Sequence, residues 1–141
     1  MSSFNETHSY LSKKVLVVDD NETGQMIATL ILQKAGYQVE TASDGYQAIN
    51  LAKTKLYDLI LMDLQLPEIN GLMATRSIRT LCSPNLDTPV IAFSANITTD
   101  ILERCHAAGM DSFISKPFDS YQLLETIKKW VNTRSGKRCI V

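Results

Sequence analysis

Asp20, Asp63, Ser94 and Lys116 each stand at the end of a short apolar run. The runs are Val15–Val18 before Asp19-Asp20, Leu59–Met62 before Asp63, Val90–Phe93 before Ser94, and Phe113-Ile114 just ahead of Lys116. If each run is a buried parallel strand, all four polar groups emerge at the same sheet edge, where open α/β folds keep their ligand crevice. Carboxylates, a hydroxyl and an amine gathered there suit a divalent cation and a phosphoryl group. Clustered carboxylates repel unless a cation neutralises them, and Mg²⁺ binds through one or two carboxylates with water and phosphate oxygens. Asp20 is the expected direct ligand, with Asp19 as its helper. Asp63, ionised at neutral pH, is a nucleophile toward phosphorus that needs no base. Lys116 supplies a point charge and Ser94 a donor to the phosphoryl oxygens.

The elements that must position these groups alternate along the chain. Lys14–Asp19 reads as a strand buried on both faces. Glu22–Ala35 follows as a helix whose apolar stripe, Met26, Ile27, Leu30 and Ile31, is expected to be mainly core, with Gly36 as its stop. Tyr37–Thr41 is a more polar strand suited to a sheet edge. Asp44-Gly45 turns into a helix carrying Ala48, Ile49, Leu51 and Ala52. Tyr57–Asp63 is the most apolar strand, and Asn70 caps a helix running to about Arg79. Residues 81–88 read as a surface loop and Pro89–Phe93 as a strand. Thr98 or Thr99 starts a helix that Gly109 closes. Met110–Ser115 is the next strand, and Asp119 with Gln122 forms a capping box for a last helix. A (βα) unit repeated about five times predicts a doubly wound parallel sheet with helices on both faces. The expected organisation is a polar tail over 1–12, one domain over 13–132 and a tail over 133–141.

Composition narrows the function. The chain has 141 residues, 45% of them hydrophobic and 21% charged, with a net charge of -1. That is one soluble domain with no overall pull toward nucleic acid or anionic membrane, so neither is an expected direct partner. Cys82, Cys105 and Cys139 lack metal-ligand spacing and read as reduced thiols, with Cys105 as packing. Residues 1–11 lack the form of a secretory signal, no apolar stretch approaches the roughly 20 residues that span a bilayer, and Cys139 is misplaced for prenylation. The expected location is cytoplasmic. His8 and His106 have no ligand partner nearby and read as solvent-facing. The basic residues near the C-terminus read as a solvated tail.

Five motifs, in order and on matching elements, carry a family resemblance. They are Val17-Val18-Asp19-Asp20-Asn21, Met62-Asp63-Leu64-Gln65-Leu66-Pro67 with Asn70-Gly71, Phe93-Ser94-Ala95-Asn96, Ala108-Gly109-Met110-Asp111 and Lys116-Pro117-Phe118. Over about Lys14 to Val131 the chain resembles the receiver (response regulator) domains of bacterial two-component phosphorelays. Its motifs are most similar to receivers associated with hybrid sensor histidine kinases. The resemblance implies a flavodoxin-like strand order 2-1-3-4-5, Asp63 as phosphoacceptor, and Mg²⁺ on Asp20, Asp63 and the Gln65 carbonyl. It implies a cis Lys116-Pro117 bond, and a switch in which Ser94 stands for the family's Thr and Phe113 for an aromatic that swings inward. It also implies a sensor histidine kinase or histidine phosphotransfer protein as partner. One departure is Gly24, where such relatives often carry Asn; helix fraying or docking is expected to differ there.

Three other readings compete. An aspartyl-phosphate phosphatase carries a second carboxylate two residues after its nucleophile, where this chain has Gln65. A scaffold without phosphorylation would show gaps among the acidic and Lys positions, and none is present. A flavin module would want a hydroxyl- and Gly-rich loop after Asp20. Gln65 and Asn96 lie where side chains crowd or orient an attacking water, and are expected to tune the lifetime of the phosphorylated state. Without the chemistry around it, Phe113 would be core. Free-standing regulator and receiver segment of a larger hybrid histidine kinase both remain open, as does oligomeric state. No DNA-binding or output domain is read after it, so the expected output is protein contact, transfer to another histidine, or a segment missing from this sequence.

Overall fold

The computed structural model describes residues 12–80 and 83–133. Ten elements alternate: β1 (Lys14–Val18), α1 (Glu22–Lys34), β2 (Gln38–Ala42), α2 (Gly45–Thr54), β3 (Leu59–Asp63), α3 (Gly71–Thr80), β4 (Val90–Ser94), α4 (Thr99–Ala108), β5 (Ser112–Ser115) and α5 (Ser120–Trp130). The strands form one parallel sheet in the order β2-β1-β3-β4-β5. This is the doubly wound, flavodoxin-like order that the motifs implied.

Strict alternation along the central strands explains the layering, because successive side chains leave opposite faces. Leu16, Val18, Ile60, Met62, Val90 and Ala92 pack with Ala48 and Ala52 of α2, Ala74 and Ile78 of α3, and Cys105 of α4. Val15, Val17, Leu59, Leu61, Ile91 and Phe93 pack with Ala28 and Leu32 of α1 and Leu123 and Ile127 of α5. Apolar faces on both sides leave the polar chemistry to the strand ends.

Capping sets where the helices begin and end. Asn21, Asp44, Thr98 and Asp119 accept bonds from backbone N–H groups of the first turns of α1, α2, α4 and α5, so Thr98 is the cap and α4 starts at Thr99. Asp119 and Gln122 form the expected reciprocal capping box. Gly109 has φ 101°, the left-handed region, and closes α4 while Met110 N–H reaches back to the Cys105 carbonyl at 3.0 Å. Because Met110 is spent on that closure, β5 begins at Ser112 and not at Met110.

Several expectations are corrected. β3 starts at Leu59, since Tyr57 N–H donates to the Asn85 side chain at 2.8 Å and not to a neighbouring strand. The segment read as a surface loop contains the fully buried Asn85 and Thr88. Asn85 also donates to the carbonyls of Ala52 and Lys55, which ties its loop to the end of α2; residues 81 and 82 lie outside the described residues. In α1 the core is Ala28 and Leu32, while Met26, Ile27 and Leu30 are 61%, 48% and 58% exposed. The small Ala28 lets α1 lie close to the sheet, so the larger residues turn outward. Phe113 is likewise exposed on the edge strand β5 and not core. His8, Cys82 and Cys139 lie outside the described residues; His106 is exposed and Cys105 is buried against α3 and β4 residues.

Candidate functional site

The chain leaves β1 toward β2 on one side, while β3 lies on the other, so a crevice opens at the carboxyl ends of β1 and β3. Asp19 and Asp20 follow β1 and Asp63 ends β3. Asp19 is buried, its N–H continuing the ladder to the Ala42 carbonyl at 3.1 Å. Its Oδ1 accepts from Asn21 N–H at 3.0 Å, and Gln25 Nε2 donates to its carbonyl at 3.0 Å. Asp20 is exposed at the mouth of the crevice. The three carboxylates each bring an oxygen within 4.8 Å of the others.

Lys116 reaches this cluster from the segment after β5. Its Nζ lies 3.3 Å from Asp63 Oδ2 and 3.4 Å from Asp19 Oδ2, and 4.5 Å from the centre of the Phe93 ring. Phe118 meets Phe93 edge-on at 6.4 Å, so an aromatic pair walls the lysine on its apolar side. The Lys116-Pro117 bond is cis, and Lys116 N–H donates to the Ser94 carbonyl at 2.9 Å. That bond fixes the lysine backbone against the end of β4.

Burial pushes the Asp63 carboxyl up to about 6, with Asp19 adding in the same direction. Gln65 N–H, donating to Asp63 Oδ1 at 3.0 Å, and the Lys116 charge oppose the rise. The cluster thus carries more negative charge than its one lysine compensates, which is a demand for a further cation.

Gly71 closes the floor. A Cβ there would collide with the Asp63 carbonyl and touch Leu64 Cα, so only glycine lets the start of α3 approach the end of β3. Asn70 caps that start, accepting from Met73 N–H at 2.9 Å.

The remaining residues singled out by sequence sit around the rim. Ser94 is buried at the end of β4, its Oγ accepting from Asn96 N–H at 3.2 Å. Gln65 and Asn96 are exposed on the loops after β3 and β4. Phe113 is three residues before Lys116 and 42% exposed on the edge strand β5. Phe93 stands in sequence as a strand end and the first residue of a motif; nothing in a single sequence signals that its ring lies under the lysine.

Known proteins are similar to this chain in sequence and fold. The profile described as "Response regulator receiver domain" matches residues 15–128. The CAI-1 autoinducer sensor kinase/phosphatase CqsS of Vibrio cholerae is 34% identical over 119 residues, covering 84% of this chain and 17% of that protein. Histidine kinase 5 of Arabidopsis thaliana is 33% identical, with 84% of this chain and 16% of that protein covered. The chain therefore spans under a fifth of the length of these relatives. Among solved structures, the receiver domain of sensor histidine kinase PA1611 from Pseudomonas aeruginosa, with a magnesium ion coordinated in its active site cleft, superposes with a TM-score of 0.80. It is 35% identical, and the match covers 86% of this chain and 99% of that one. The chemotaxis protein CheY4 of Vibrio cholerae also gives 0.80 at 29% identity, covering 84% and 98%. By fold, profile and relatives, the chain belongs to the receiver domain family of two-component phosphorelays and is homologous to the receiver segments of hybrid histidine kinases.

Proposed function

We propose that Asp63 is the phosphoacceptor of this receiver domain, taking its phosphoryl group from a phosphohistidine. The observation that carries the reading is a buried carboxylate 3.3 Å from a lysine, with two further carboxylates within 4.8 Å. An ionised Asp63 oxygen attacks phosphorus; the P–O bond forms as the P–N bond breaks, and the departing imidazole nitrogen keeps the electron pair and takes a proton from solvent. Negative charge spreads over the phosphoryl oxygens, and Lys116, Ser94 and backbone N–H groups are the donors that meet it. Ser94 moving toward the phosphoryl group, with Phe113 leaving solvent, is the switch between two pre-existing states.

The donor set fits Mg²⁺: hard carboxylate oxygens, one of them solvent-exposed, in a cluster short of positive charge. Asp20, Asp63 and the Gln65 carbonyl would hold the ion, with Asp19 assisting. When bound, it supplies charge neutralisation for the incoming phosphoryl oxygens. Gln65 and Asn96, both exposed on the loops after β3 and β4, are the residues proposed to tune how fast water removes the group. The partner is a histidine kinase or histidine phosphotransfer protein, and the folded unit is residues 13–132, working in the cytoplasm. An aspartyl-phosphate phosphatase is disfavoured because Gln65 cannot transfer a proton.

Calorimetric titration with Mg²⁺ tests the site without needing a partner. The wild-type chain is expected to bind the ion with one-to-one stoichiometry, and Asp20→Asn to lose at least about tenfold in affinity. Equal affinities in the two proteins would contradict the ligand assignment.

A further inference from the structure

Phe93 is the one aromatic residue on the central strands β1, β3 and β4, whose other apolar residues are Val, Leu, Ile, Ala and Met. Packing alone is served by aliphatic side chains in a parallel sheet covered on both faces. A ring adds a face of negative potential, and a cation stands over this one: Lys116 Nζ lies 4.5 Å from the ring centre. We propose that Phe93 is a positioning residue for phosphoryl transfer, its ring face holding the Lys116 ammonium beside Asp63 before and after the group arrives. The inference rests on the phosphoacceptor reading of Asp63.

The ammonium has three N–H groups, and three partners surround it. Two are carboxylate oxygens, Asp63 Oδ2 at 3.3 Å and Asp19 Oδ2 at 3.4 Å, and the third is the ring. Transfer changes only the first of these. Once Asp63 is bonded to phosphorus, its charge passes to the phosphoryl oxygens, and Lys116 has to shift toward them.

Asp19 and the ring stay in place and are the fixed points for that shift. Asp19 alone would draw the ammonium away from the acceptor. The ring carries no net charge, so it holds the lysine without competing with the phosphoryl oxygens. Lys116 is 28% exposed along its side chain, and a cation partly withdrawn from water is held more strongly by a ring than a fully solvated one.

Both members of the contact are anchored. Phe93 is 1% exposed, in the same core as Ala28 and Leu32 of α1 and Leu123 of α5, and Phe118 meets its ring edge-on at 6.4 Å. The parallel register of β4 and β5 pairs Ser94 with Ser115, and Lys116 N–H donates to the Ser94 carbonyl at 2.9 Å. The sheet thus sets the lysine backbone one residue past the ring, and the side chain lies back over it.

The test replaces Phe93 in the full chain by phenylalanines bearing one, two and three ring fluorines. Fluorine drains the negative potential of the face and leaves the shape of the ring nearly unchanged. Labelling of Asp63 by phosphoramidate, a small P–N donor, with Mg²⁺ is expected to slow at each step, by at least about threefold at the third fluorine. A second readout is independent of activity: protons above a ring face are shielded, so the Lys116 ε-CH₂ resonances are expected upfield in wild type, both before and after labelling. Phe93→Leu is expected to abolish that shift and to slow labelling by at least as much as three fluorines do; the fluorinated proteins decide if the leucine variant does not fold. Rates that stay level or rise along the series overturn the role of Phe93 and leave the acceptor reading standing. Lys116 resonances at their ordinary position also overturn it, because the ring would then act by packing alone. No labelling of the wild-type chain overturns the acceptor reading and the role of Phe93 with it.

Discussion

Asp63 is held in a contradiction that its chemistry needs. Burial raises its carboxyl to about 6, yet a nucleophile toward phosphorus has to be ionised. The stability of the chelator-treated protein reports this cost. The folded chain holds the Asp63 proton up to about pH 6, whereas the unfolded chain releases it near 3.8. The contribution of Asp63 to stability is therefore greatest below about pH 4 and is lost as pH rises through 6. At roughly 1.4 kcal/mol per pH unit, Asp63→Asn should be more stable than wild type by on the order of 2–3 kcal/mol at pH 7 in EDTA, and no more stable at pH 4. Urea melts at the two pH values check this; a constant difference would show that burial of the charge is not the cause. The acidic residues, Ser94 and Lys116 were legible in sequence because each terminates an apolar run. The ring of Phe93 beneath Lys116 was not, because such a contact depends on packing across two elements.

At the scale of elements, polar side chains placed by turns tie the framework together. Arg79, near the end of α3, donates to the carbonyls of Asn85, Leu86 and Gly109 and pairs with Asp111 at 3.1 Å. Its side chain is 8% exposed. Asp111 in turn accepts from Val90 N–H at 3.0 Å, so one arginine joins α3, the loop before β4 and the turn before β5. Arg79→Ala should cost about 3–5 kcal/mol in chemical denaturation, since it takes the cation from the half-buried Asp111 carboxylate and the donor from several carbonyls. A loss below about 1 kcal/mol would mean solvent replaces it. The caps and helix stops were readable because Asn, Asp, Thr and Gly act locally. Arg79 and the buried Asn85 were not, as their partners are 30 or more residues away in the chain for the Gly109, Ala52 and Lys55 contacts. The stripe on α1 misled for a related reason: apolar spacing shows that a face exists, not which face the sheet takes.

For the whole molecule, the parallel sheet separates two duties. Its two faces carry the cores, and its carboxyl edge carries the site, so the outer face of α1 is free for contact. Met26→Glu with Leu30→Glu is expected to change stability by less than about 0.5 kcal/mol, as both side chains are exposed. The same pair should slow phosphoryl transfer from a histidine protein while labelling by a small donor persists; parallel losses would place the stripe outside the interface. The strand order follows from the alternating pattern together with the motifs. The most direct test of the account is labelling by phosphoramidate with Mg²⁺, followed by peptide mapping of the acyl phosphate. One labelled site is expected, at Asp63, and none in Asp63→Asn. Equal labelling of Asp63→Asn, or a label mapped to another residue, would contradict it.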